Sequence, residues 1–133
     1  MAALNLYDTG VGDAGLAHLK GKSLAYLVLT GTAITDAGLK ELEALGNLET
    51  LVLMDHAKIT DAGLKPLYEL KHLRNLTIRF TGVTLSGITG LKESKSLKLL
   101  RIGNNRGFTG KAYIQEVKEA LPEVQIDDVS IRD

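Results

Sequence analysis

The sequence predicts an α/β solenoid of about five stacked strand-turn-helix repeats, with a parallel β-sheet on the concave face and helices on the convex face. Two blocks that recur in phase predict it. The first is Leu24-x-x-Leu27-x-Leu29, which returns as Leu48-x-x-Leu51-x-Leu53, Leu73-x-x-Leu76-x-Ile78 and Leu97-x-x-Leu100-x-Ile102, with starts 24, 25 and 24 residues apart. The second is Ile34-Thr35-Asp36-Ala37-Gly38-Leu39, which returns as Ile59-Thr60-Asp61-Ala62-Gly63-Leu64 and, with glycine for threonine, as Val11-Gly12-Asp13-Ala14-Gly15-Leu16. Composition is the third observation. Apolar residues make up 44% of the chain but aromatics only 5%, so the core material is aliphatic and suited to layering.

Each element follows from these blocks. A partial copy opens the chain at Leu4 and Leu6. In Leu-x-x-Leu-x-Leu the last two apolar residues alternate with others, so they share one face of a short strand. Thr35 and Thr60 are expected to N-cap the segments that follow, their hydroxyls accepting from the first turn. Asp36 and Asp61 fall in that turn, where the helix dipole favours an anion. Leu39, Leu42 and Leu45 then recur at helical spacing, as do Leu64, Leu67 and Leu70. Gly38 and Gly63 weaken a helix, and their regular placement predicts close approach of a neighbouring turn. Pro66 is expected in the first turn of its helix, where a missing N–H is tolerated.

Later copies are weaker. They read Val83-Thr84-Leu85-Ser86-Gly87-Ile88 and then Phe108-Thr109-Gly110, after a longer turn at Gly103-Asn104-Asn105-Arg106-Gly107. Leu121-Pro122-Glu123-Val124-Gln125-Ile126 is the expected last strand, with Val124 either opening it or filling its middle apolar slot, and Asp127 to Asp133 as a polar exit. The whole chain is one domain, with repeats at about 1–23, 24–47, 48–72, 73–96 and 97–123 and a terminal strand at 124–133. No unit can bury its apolar face alone, and stacking supplies the core.

These residues resemble the leucine-rich-repeat family. The units look like short bacterial repeats of the form Leu-x-x-Leu-x-Leu-x-x-Thr-x-Ile-Thr-Asp-Ala-Gly-Leu, common in planctomycete-like genomes. They are more distantly similar to the repeats of F-box adaptors and ribonuclease-inhibitor-like arrays. The resemblance runs from about Leu4 to Ile126. It implies a curved, right-handed leucine-rich-repeat solenoid that binds proteins on its strand-lined concave face.

Charge and composition narrow the function classes. Lys plus Arg and Asp plus Glu are 16 each, giving zero net charge. Nucleic-acid binders draw most of their affinity from neutralising phosphates and carry a basic surplus, so no nucleic-acid partner is expected. Cysteine is absent, which removes disulfides and thiolate metal sites. No apolar run approaches the roughly 18 residues that span a bilayer, and no membrane partner is expected. Met1 to Leu6 is not a signal peptide, which favours a cytoplasmic location. Leu4 and Leu6 belong to a strand without a predecessor. The expectation is a piece of a longer array, a homodimer formed through the open N-terminal repeat, or a frayed first repeat.

Catalytic chemistry does not assemble. His18, His56 and His72 are the only histidines, and His56 takes the ninth place of its repeat, where its siblings are Thr9, Thr32, Thr81 and Asn105. The resemblance to leucine-rich repeats implies that this place holds a side chain bonding to the turn backbone, a role that Thr, Asn and His can fill. Asp13, Asp36 and Asp61 share a slot at a helix start, which explains them better than a metal site does. Nucleophile-elbow, phosphate-loop, dinucleotide and EF-hand patterns are absent. No enzyme activity, cofactor or metal is expected.

The function expected is a protein–protein interaction module. Residues between the core leucines face the concave side: Ala3, Asn5 and Tyr7; Tyr26, Val28 and Thr30; Thr50, Val52 and Met54; Asn75, Thr77 and Arg79; Leu99, Arg101 and Gly103. Tyr26, Val28, Val52, Met54 and Leu99 are expected to form an exposed apolar patch, joined by Tyr7, Thr77, Arg79 and Arg101 as partner contacts. Tyr and Arg are enriched at binding hot spots and Met at adaptable surfaces. The two arginines favour an acidic partner segment. The alternatives are a regulatory or targeting domain of a larger kinase or ubiquitin-ligase adaptor, and a self-associating structural array.

Overall fold

The structure, a computed structural model, describes residues 2–105 and 112–129. Six strands form one sheet in chain order: β1 (Ala2–Asn5), β2 (Leu24–Val28), β3 (Thr50–His56), β4 (Asn75–Thr81), β5 (Leu99–Gly103) and β6 (Gln125–Asp128). Every neighbouring pair is parallel. The register aligns equivalent slots, with Leu4, Leu27, Leu51, Leu76, Leu100 and Ile126 side by side. A one-residue slip would turn every such leucine to solvent, so the hydrophobic pattern itself fixes the pairing.

Helices return each strand to the next: α1 (Asp13–Leu16), α2 (Asp36–Leu39), α3 (Asp61–Tyr68), α4 (Leu85–Thr89) and α5 (Ala112–Ala120). The core lies between them and the sheet. Leu27, Leu51, Leu53, Ile78 and Leu100 from the strands meet Leu39, Leu42, Leu64, Leu67 and Ile88 from the other layer, all fully buried. Each such side chain contributes about 1.5–3 kcal/mol by leaving water.

The helical segments differ from expectation. After α1, α2 and α4 the chain tightens into 3-10 turns at Ala17–Leu19, Lys40–Ala44 and Gly90–Glu93. The leucines at 39, 42 and 45 are three apart, and a 3-10 helix brings residues three apart onto one line. Pro66 is the sixth residue of α3, past its first turn. The carbonyl it leaves without an N–H partner belongs to Ala62, which is exposed to solvent. The last strand also resolves: Ile126 pairs with Leu100 in the middle slot, and Val124 lies just before the strand. Phe108-Thr109-Gly110, the turn residues Arg106 and Gly107, and the end of the polar exit lie outside the described residues.

Thr35 and Thr60 do not cap their own helices. Their hydroxyls and backbone N–H groups instead donate to a carboxylate one repeat earlier. Asp13 receives Thr35 N at 2.7 Å and Oγ1 at 2.5 Å. Asp36 receives Thr60 in the same way at 2.8 and 2.5 Å, and Asp61 receives Thr84 at 2.7 and 2.5 Å. The partners are 22 to 24 residues apart. The glycines make room for this ladder. A Cβ on Gly38, Gly63 or Gly87 would fall 2.2 to 2.3 Å from an oxygen of Asp13, Asp36 or Asp61. The ladder covers three junctions. Gly12 has no hydroxyl to donate, and Leu85 takes the aspartate slot after Thr84.

At or near the end of each of β1 to β5 lies a residue with positive φ: Asp8, Gly31, Asp55, Phe80 and Asn104. Asp, Asn and Gly suit this conformation; Phe80 does not. The Arg79 guanidinium sits 5.2 Å from the centre of the Phe80 ring, a cation–π contact that holds it. The ninth place then secures the turn. Buried His56 donates from Nε2 to the carbonyl of Leu29 in the previous repeat. Buried Asn105 donates to the equivalent carbonyl of Ile78 at 2.8 Å and accepts from Thr81 N and Oγ1 at 3.0 and 2.7 Å.

Candidate interaction face

Register lays the residues between the core leucines into rows across the repeats. One row is Ala3, Tyr26, Thr50, Asn75, Leu99 and Gln125. The next is Asn5, Val28, Val52, Thr77, Arg101 and Asp127. A third joins Met54, Arg79 and Gly103. Period-two alternation drives this arrangement: with leucines committed inward, their neighbours face out together.

The face is hollow. A depression of about 310 Å³ is lined by Tyr26, Thr50, Val52, Asn75, Thr77, Leu99 and Arg101 among others. Tyr26 is 42% exposed, and Tyr7, just beyond β1, is 63% exposed. Val52, Met54, Thr77 and Leu99 are half-buried. Asn75 Nδ2 donates to Thr50 Oγ1 at 3.1 Å, which ties two strands across the floor.

Val28 does not belong to the exposed patch. It is 8% exposed, seated in the ladder between Asn5 and Val52 and flanked along its own face by Tyr26 and buried Thr30. The apolar surface is therefore narrower at β2, and Tyr26 carries most of it there.

The two arginines are held by the protein itself. Arg101 Nε lies 3.6 Å from Asp127 Oδ2. Both groups are substantially exposed, so the pair contributes about 0–1 kcal/mol. Arg79 lies against Phe80, and its Nη2 is 3.5 Å from Asn104 Oδ1. Its Nε is buried without a hydrogen-bond partner. By sequence alone Asp127 belongs to the polar exit. Its place beside Arg101 follows only once Ile126 is assigned to the middle slot.

The other chemistry-bearing residues fall where they hold the fold. Asp13, Asp36 and Asp61 each bond the next repeat and do not converge on a common point. Burial lowers the His56 pKa, opposed by its backbone hydrogen bond and by the charge of Asp55, so the ring is neutral with its proton on Nε2. His18 and His72 are exposed. No helix among the described residues is long and apolar enough to cross a membrane.

Comparison with known proteins agrees with this architecture. A family model described as a leucine rich repeat matches residues 22–42 and 47–67, which span β2 with α2 and β3 with most of α3. A search of curated proteins finds no match. Among solved structures, "Leiomodin-1 Actin-Binding Site 2 (ABS2)" matches with a TM-score of 0.60 at 16% identity, over 100% of this chain and 72% of that one. Identity at that level speaks to the fold alone. Two matched repeats and six in-register parallel strands behind one aliphatic core show that the chain folds as an α/β leucine-rich-repeat solenoid.

Proposed function

We propose that residues 1–133 act as one domain, repeated at about 1–23, 24–47, 48–72, 73–96 and 97–123 with a terminal strand at 124–133, that binds a protein partner on its strand face rather than catalysing a reaction. The observation that carries the proposal is the hollow between Tyr26 and Arg101. It offers an exposed tyrosine, half-buried Val52 and Leu99 and a polar rim, the mixture found at protein interfaces. Tyr7, Met54, Thr77 and Arg79 extend the contact surface, and Val28 supports its floor. The leiomodin domain is named for actin binding, a precedent for a protein ligand on this fold.

A pull-down comparing the wild-type domain with a Tyr26→Ala/Leu99→Ala/Arg101→Ala variant tests this. Specific partners should be depleted at least about tenfold, as expected when hot-spot side chains are truncated. Equal recovery of every partner by a folded variant would remove the strand face as the binding surface.

A further inference from the structure

At the opposite end of the strands, where helices return to the sheet, two adjacent repeats set out cations in register. Lys71 and Lys95 occupy one repeat position, and Arg74 and Lys98 another; Lys98 N donates to Arg74 O at 2.8 Å, which fixes the second pair side by side. These four side chains line a depression of about 470 Å³ that also holds Glu69 and Glu93. Lys92 adds a fifth cation at a smaller neighbouring hollow of about 180 Å³, also lined by Lys95 and Lys98. All five cations are exposed. None is ion-paired: the pair between Arg101 and Asp127 is the only one among the described residues. Glu69 and Glu93, with Glu123 at the second hollow, offset part of this charge, and the five cations still leave a local positive excess in a chain of zero net charge.

The floor is fixed. Ser96 Oγ bridges the carbonyls of Leu70 and Leu73 at 3.0 and 2.7 Å, tying one repeat's return to the next. Ser94 Oγ, at the second hollow, is buried with no hydrogen-bond partner. A buried hydroxyl left unsatisfied is uncommon.

The patch is also short. The position of Arg74 and Lys98 is held by Glu49 in the repeat before and by Val124 after, with Glu123 beside it. Strands lie about 4.8 Å apart, so the cations of the two adjacent repeats sit about one strand spacing apart. A duplex presents a charge about every 1.7 Å and gains affinity by engaging many phosphates. Glu49 and Glu123 would repel such a polymer on both sides. An extended peptide instead places alternate side chains about 6.6 Å apart, so about two carboxylates cover the patch.

We propose that this return edge docks a short acidic segment, a run of Asp or Glu residues, on a protein partner. The surface is separate from the strand face and does not depend on it. Fluorescence anisotropy with a labelled tetraglutamate peptide tests it on the full chain, with tetraglutamine and a short oligouridine as controls. Tetraglutamate should bind, more weakly as salt is raised. Lys71→Glu/Lys95→Glu should weaken it by about tenfold or more, and Lys71→Gln/Lys95→Gln by a smaller factor. Tyr26→Ala/Arg101→Ala should leave it within about twofold, which separates this site from the strand face. The proposal is overturned if tetraglutamate fails to bind the wild-type chain, if both folded variants bind it as tightly as wild type, if tetraglutamine binds equally, or if oligouridine binds more tightly.

Discussion

In an exposed helix, exchanging glycine for alanine stabilises a protein by about 1 kcal/mol. At Gly63 the added methyl would lie 2.3 Å from Asp36 Oδ1 and 2.9 Å from Leu39 Cδ1. Leu39 is fully buried and has little room to retreat. Asp36 can move only by releasing Thr60, whose N–H and hydroxyl it accepts at 2.8 and 2.5 Å. Overpacking costs about 1–3 kcal/mol, and hydrogen bonds to a charged group contribute about 1.5–3 kcal/mol each. Two contacts under 3.0 Å put the cost in the upper part of its range, and with the propensity gain subtracted Gly63→Ala should destabilise by about 1–2 kcal/mol. Gly15 supplies the control. A Cβ there would meet no carboxylate within 4 Å, only Val11 Cγ1 at 3.1 Å, so Gly15→Ala should stay within about 0.5 kcal/mol of wild type. Urea unfolding followed by circular dichroism measures both. In an Asp36→Ala background the clash is gone, and Gly63→Ala should become neutral or stabilising, a coupling of about 1 kcal/mol or more. A Gly63→Ala protein as stable as wild type would refute the reasoning, because the carboxylate would then have moved without cost.

Two further outcomes follow from the turn residues. Because burial lowers the His56 pKa below its ordinary 6.5, the unfolded chain takes up a proton first as pH falls. Stability should therefore be level above about pH 6.5 and decline below it, down to the depressed folded value. His56→Asn, which places at this turn the amide that Asn105 uses at its own, should flatten that slope in unfolding curves recorded between about pH 5 and 7. An unchanged slope in the variant would assign the pH dependence elsewhere. Asn105→Ala strips partners from Thr81 N, Thr81 Oγ1 and the Ile78 carbonyl in a buried turn. It should cost about 2–4 kcal/mol by denaturant midpoint, and a loss below about 1 kcal/mol would mean that water replaces the amide.

The repeat and the direction of its strands were legible because both depend on spacing alone. Leu27, Leu51, Leu76 and Leu100 align whatever lies between them. The task of Thr35 was not legible. A threonine before Asp-Ala-Gly-Leu looks like a local cap, and nothing nearby signals that its partner is Asp13, 22 residues back. Gly38 did hint at a close neighbour, though not that the neighbour was a carboxylate. The turn role of His56 was legible from the slot it shares with Thr32, Thr81 and Asn105 together with what the leucine-rich-repeat resemblance implies for that slot. The strand face was readable as a set of alternating positions but not in depth. Val28 and Val52 have the same residue type and adjacent register, yet Val28 is buried and Val52 is not. The Arg101–Asp127 pair stayed hidden until the last strand had a register.

The Asp–Thr ladder also sets a grammar for lengthening the array. A unit that carries both a receiving threonine and a projecting aspartate can join a copy of itself. Units two and three do, through Thr35 with Asp36 and Thr60 with Asp61. The first unit has the aspartate without the threonine, and the fourth has the threonine without the aspartate. Duplication of residues 24–47 would thus splice a new unit into the middle with its joints intact, widening the sheet by about 4.8 Å for each copy. Duplication of the first or fourth unit would leave a mismatched joint. In this chain, growth by tandem duplication that keeps the ladder is confined to units two and three, and the first and fourth units act as its two end groups.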